Sequence, residues 1–131
     1  MNQLGICPIV LWSECEDDLD QVRRALSAEG WSPRWAGNEA EVRESVTRGE
    51  AELVLIRLCG RDPGPFALLD WLSQQPGAPP SVLIADRIDV WDYLDAMRRG
   101  AFDCVELPLD ESELVRIVSK ALELRNLPAP L

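Results

Sequence analysis

The sequence predicts a single doubly wound α/β domain, and three observations carry that prediction. Five short apolar runs rich in β-branched residues alternate with five stretches of helical periodicity. No two-residue hairpin turn joins consecutive runs. The chain, at 131 residues with 47% hydrophobic and 27% charged side chains, is also long enough to close one core of its own. Strands that alternate with helices must run parallel, and right-handed crossovers then cover both faces of an open sheet.

The elements follow in order. "PIVLW" (8–12) reads as a strand buried on both faces. After the acidic stretch "SECEDD" (13–18), Leu19, Val22 and Leu26 recur at helical spacing as far as Gly30, a residue suited to a left-handed C-cap. "WSPRWAG" (31–37) is brief and fits an edge strand, and Asn38 with Glu41 has the spacing of a capping box for a second helix that stops at Gly49. "AELVLIRL" (51–58) is a central strand, followed by a helix in "PGPFALLDWLSQQ" (63–75) that proline opens and the turn-rich "PGAPP" (76–80) closes. "SVLIA" (81–85) is the fourth strand, "DVWDYLDAMRRG" (89–100) the fourth helix and "AFDCVEL" (101–107) the fifth strand. Asp110 and Glu113 cap a last helix whose Leu114, Ile117, Val118, Ala121 and Leu122 share a face. The tail "RNLPAPL" breaks that helix, so residues 1–124 are the expected domain and 125–131 the expected start of a linker to an output domain.

Charge narrows the function. With 13 Lys plus Arg against 23 Asp plus Glu, the formal charge is -10, and such a field repels nucleic-acid phosphates and anionic lipid. Neither nucleic acid nor membrane is an expected partner. No apolar run approaches the roughly 20 residues of a membrane span, and the first residues lack a basic n-region and cleavage site, so the expected location is the cytoplasm. Cys7, Cys15, Cys59 and Cys104 form no CxxC pair and the chain has no histidine. Free thiols are therefore expected, with Cys104 as core filler, while a redox couple of Cys15 and Cys59 stays open as a second reading. Most of the tryptophans at 12, 31, 35, 71 and 91 are expected in the core. In doubly wound sheets the ligand crevice lies at the carboxyl ends of the strands, which singles out Ser13, Glu14, Arg57, Ala85, Asp86 and Leu107.

Over about residues 6–124 the chain resembles the receiver domains of two-component response regulators. The resemblance is carried by "AMRRGAFDCVELPLDESELVRIVSKAL" (96–122), by the "ELVLIRL" strand and by the distance from the acidic cluster to Gly30. It implies a flavodoxin-like (βα)5 fold, a five-stranded parallel sheet in three α/β/α layers. Receivers carry a phosphoacceptor Asp at the tip of the third strand and an acidic pair after the first that holds Mg2+. They also carry a Ser or Thr ending the fourth strand and a Lys before a proline, both of which bind phosphoryl oxygens. Carried over by position, the acidic pair falls on Ser13 and Glu14, the acceptor on Arg57, the hydroxyl on Ala85 and the lysine on Leu107, while Pro108 is kept.

The resemblance therefore implies a degenerate receiver with no phosphoacceptor, no metal, no cofactor and no enzymatic activity, because a guanidinium stays protonated and has no free lone pair. Mg2+ wants several oxygen ligands, and one carboxylate beside a fixed cation supplies them poorly. The Leu107–Pro108 bond is expected to be cis, as in the family. Arg57 either pairs with Glu14 or Asp86 or extends from the strand tip into solvent. The fourth helix, fifth strand and fifth helix form the expected contact face for a protein partner or a second copy. Its residues are Trp91, Asp95, Arg98, Arg99, Asp103, Cys104 (where receivers carry a mobile aromatic), Arg116 and Lys120. The function implied is phosphorylation-independent signalling that regulates an attached output domain, such as a transcriptional regulator. The alternative is a ligand or redox sensor that uses an emptied apolar pocket of Trp12, Ala85 and Leu107, or the Cys15/Cys59 thiols. An ordinary enzyme of this fold would lack histidine, an activated serine and a Gly-rich phosphate loop.

Overall fold

A computed structural model of the chain describes residues 7–13, 19–60 and 62–126. Ten elements alternate along them: β1 (Pro8–Trp12), α1 (Asp20–Ala28), β2 (Ser32–Trp35), α2 (Glu39–Thr47), β3 (Leu53–Leu58), α3 (Gly64–Ser73), β4 (Ser81–Ala85), α4 (Val90–Arg98), β5 (Asp103–Glu106) and α5 (Glu111–Arg125). The strands form one sheet in the order β2-β1-β3-β4-β5, every pair parallel. This is the flavodoxin-like order, in which the winding reverses beside β1 and leaves a crevice at the carboxyl edge between β1 and β3.

The period-two geometry of the strands divides the core in two. Ile9, Leu11, Leu53, Leu55, Val82, Ile84 and Val105 face α1 and α5, whereas Val10, Trp12, Val54, Ile56, Leu58, Leu83 and Ala85 face α2, α3 and α4. Covering both faces explains why the strands read as continuous apolar runs rather than alternating ones. All six residues of β3 are buried, Arg57 among them.

The caps predicted at Asn38 and Asp110 form, and a third forms at Asp89. The Asn38 side chain accepts the Glu41 N–H at 2.9 Å, while the Glu41 carboxylate reaches back to the N–H of Gly37, one residue before the cap. Asp89 and Asp110 accept the N–H groups of Asp92 (2.8 Å) and Glu113 (3.2 Å) and start α4 and α5 in the same way. Gly100 ends α4 at φ +103, and a Cβ there would also sit 3.2 Å from Cβ of Ser73, so two constraints hold glycine at that turn.

The tryptophans depart from expectation. Only Trp12 is buried; Trp31 and Trp71 are half-buried, and Trp35 and Trp91 are exposed. Trp35 lies on the edge strand β2, which has one neighbour in the sheet, and Trp71 sits at the surface with the Arg43 guanidinium 5.1 Å from its ring centre. Helix α4 is thinly anchored: of its nine residues only Ala96 is buried, while Val90, Trp91, Tyr93 and Leu94 are exposed. Among the described residues no helix is long and apolar enough to cross a membrane.

Candidate functional site at the carboxyl edge of the sheet

Strand β3 builds the site. Alternation from Leu53 and Leu55 directs Arg57 to the α1/α5 side of the sheet, one residue before the strand ends. Arg57 is 4% exposed. Its Nη2 lies 3.0 Å from Oδ2 of Asp86, the residue after β4, and its Nη1 donates to the carbonyl oxygen of Leu58 at 2.5 Å. The side chain therefore folds over the strand ends toward β4 and does not extend into solvent. Asp86 remains 80% exposed, so the pair is asymmetric: a desolvated cation meets a carboxylate that stays hydrated. Glu14, the other partner considered from the sequence, lies outside the described residues.

The flanking positions complete the edge. Ala85 is buried and offers only a methyl group, and its carbonyl oxygen accepts the Leu107 N–H at 2.8 Å. Leu107 packs half-buried against the α1/α5 core, and its bond to the exposed Pro108 is cis. Ser13 follows β1 directly and is half-buried. Of the three residues considered for an apolar pocket, Trp12 and Ala85 belong to the core on one face of the sheet, whereas Leu107 packs against the core on the other.

Receivers hold Mg2+ at this edge, and the residues described here do not fit that ion. A buried guanidinium fills the position from which a carboxylate would reach it, and Asp86 is already paired with that guanidinium. Two like charges forced together in a poorly hydrated site repel, and Mg2+ needs near-octahedral oxygen ligands.

The predicted contact face splits in two. Asp95 and Arg99 turn toward α3, where Arg99 bonds Asp95 at 2.9 Å and Asp70 at 2.6 Å with its guanidinium 5.5 Å from the Phe66 ring centre. They line an acidic groove of about 670 Å³ between α3 and α4, with Gly60, Asp62, Asp89 and Asp92 along its walls. The reason is angular: positions 92, 95 and 99 share the side of α4 that faces α3. Cys104 instead lines a hollow of about 420 Å³ between α4 and β5, with Val90, Tyr93, Glu106 and Glu113. Burial, and then the neighbouring Asp103, push its thiol up to about 12, so it is protonated and poorly nucleophilic. Asp103 is half-buried and accepts the Cys104 N–H at 2.8 Å, while Arg98, Arg116 and Lys120 are exposed. Sequence reasoning missed Val90, Tyr93, Leu94 and Asp70. A signal existed for Leu94, which shares a helical face with Trp91 and the polar Arg98.

The thiols also depart from expectation. Cys7 and Cys104 are free, but Cys59, the residue after β3, is disulfide-bonded. Cys15 lies outside the described residues.

No protein-family model matches the chain. In sequence it is 32% identical over 105 residues to the DNA-binding transcriptional regulator NtrC of Bradyrhizobium sp. (strain RP501 Parasponia), covering 77% of this chain and 21% of that protein. In structure it superposes on NtrX from Brucella abortus with a TM-score of 0.79 at 27% identity, over 92% of this chain and 27% of that one. A response regulator from Thermotoga maritima gives a TM-score of 0.79 at 19% identity, over 90% and 98% of the two chains, and bears on the fold alone. The chain thus spans about a fifth to under a third of the curated relatives it matches. Similarity in sequence and in fold together supports a response-regulator receiver domain of the kind found in NtrC- and NtrX-like regulators.

Proposed function

We propose that this chain is a pseudo-receiver: a signalling domain that takes no phosphoryl group at the usual site and acts through protein contacts. One observation carries the reading. Arg57 occupies the acceptor position as a buried cation bonded to Asp86, so the position holds neither a nucleophile nor a metal ligand. Ala85 and Leu107 remove the hydroxyl and the ammonium that would hold a phosphoryl oxygen. The domain has no enzymatic activity of its own, resides in the cytoplasm and regulates an attached output domain, such as a transcriptional regulator. It binds neither nucleic acid nor membrane by itself, consistent with its charge of -10.

Its contact surface is the exposed side of α4 beside β5 and α5. Trp91 is 74% exposed there, with Val90, Tyr93 and Leu94 around it, an unusual concentration of apolar surface on one nine-residue helix. A protein partner or a second copy of the chain would cover it.

The test is amide NMR with and without Mg2+ plus beryllofluoride, a phosphoryl mimic that binds an ionised aspartate. The parent chain is expected to show no shift, with any response confined to an Arg57→Asp variant. Specific shifts around Asp86 in the parent would refute the reading.

A further inference from the structure

Helix α4 carries two adjacent rows of side chains with different chemistry. Trp91, Leu94 and Arg98 recur at helical spacing along its outer side, where Trp91 is 74% and Leu94 44% exposed. Asp92, Asp95 and Arg99 form the next row, which faces α3. An apolar ridge therefore runs beside the groove of about 670 Å³ between α3 and α4.

The groove is strongly acidic over an apolar floor that includes Leu58 and Phe66. Asp62, Asp70, Asp89, Asp92 and Asp95 line it against one cation, Arg99, whose guanidinium is already shared between Asp95 and Asp70. Among the described residues neither Asp89 nor Asp92 has a cationic partner. The Arg99 guanidinium also lies 5.5 Å from the Phe66 ring centre, so the walls already favour a guanidinium held between carboxylates and against an aromatic face. Arg98, exposed at the other end of the ridge, leaves the need for positive charge at the Asp89 and Asp92 end. In a symmetric pair of copies the same acidic patch would lie on both sides of the contact, and two chains of formal charge -10 repel as they approach.

We propose that the ridge and the groove together receive a cationic amphipathic helix of another protein. Its apolar face covers Trp91 and Leu94, and its lysines or arginines reach the aspartates of the groove. The proposal rests on the reading of α4 as the contact surface and names the kind of partner that covers it.

The experiment titrates the chain with a synthetic amphipathic peptide of leucine and lysine, beside a leucine and glutamate peptide of the same apolar pattern, and follows amide NMR. With the lysine peptide, shifts are expected along α4 and the facing side of α3, around Phe66, Asp70, Trp91, Asp92 and Leu94, and binding should weaken as salt rises. Trp91→Ala is expected to weaken binding roughly tenfold, and Asp92→Asn about threefold. Glu29→Gln removes a carboxylate at the end of α1, which packs on the opposite face of the sheet, and should leave binding unchanged. Absence of binding, equal affinity for the glutamate peptide, or shifts spread over the whole acidic surface would overturn the proposal. Sedimentation of the chain alone separates it from the reading beneath it. A dimer that Trp91→Ala dissolves would overturn the cationic partner and leave α4 as the contact surface, whereas shifts that avoid α4 in a chain that stays monomeric would remove both.

Discussion

At Arg57 a residue that looks misplaced in an apolar strand turns out to be almost fully desolvated, while its partner Asp86 stays hydrated. The asymmetry of the pair has an energetic consequence. Removing Asp86 leaves a buried cation without this counter-charge, whereas removing the guanidinium leaves a carboxylate that is already hydrated. Asp86→Ala is therefore expected to destabilise the fold by about 1–3 kcal/mol, in the range for losing a hydrogen bond to a charged group. Arg57→Met, which keeps the volume and drops the charge, is expected to be neutral or stabilising by roughly 1 kcal/mol. Urea unfolding of the two variants checks both signs, and a larger loss for Arg57→Met than for Asp86→Ala would show that the pair is not organised in this way. The sequence allowed this pairing but also allowed an arginine extended into solvent. Deciding between them needed the distance from the end of β3 to the end of β4.

Among the elements, α4 is set apart by what it leaves uncovered. A surface helix usually turns its apolar stripe inward, yet here Ala96 alone is buried and the large apolar side chains face out. Their removal should cost the isolated domain little. The double variant Trp91→Ala/Leu94→Ala is expected to unfold within about 0.5 kcal/mol of the parent, as surface substitutions do, while losing self-association or partner binding. Sedimentation and thermal melts distinguish the outcomes, and a large drop in stability would mean that these residues support the core. Helix α4 was legible as a helix from the run that Gly100 stops, but not in its orientation. Its periodicity gives Trp91 and Leu94 one face without saying which face the sheet takes.

For the molecule as a whole, the fold was legible because every level of the sequence agrees. Continuous apolar strands, side-chain caps at Asn38, Asp89 and Asp110, and glycine stops at Gly30, Gly49 and Gly100 all specify the same alternation. The site was legible as a set of positions, since the carboxyl ends of the strands follow once the fold is known. Two features were not. The division of the core by the sheet, which parts Leu107 from Trp12 and Ala85, depends on which residue of each strand faces which helices. That Cys59 is disulfide-bonded was not legible either, because no CxxC spacing marks a pair in the sequence.

The central claim is that the domain lacks a phosphoacceptor, and the intact mass of the purified chain after incubation with Mg2+ and acetyl phosphate tests it at its source, beside an unrelated receiver with its aspartate in place as positive control. This chain is expected to keep its mass while the control gains a phosphoryl group. Addition of one phosphoryl group to this chain, at any carboxylate, would contradict it.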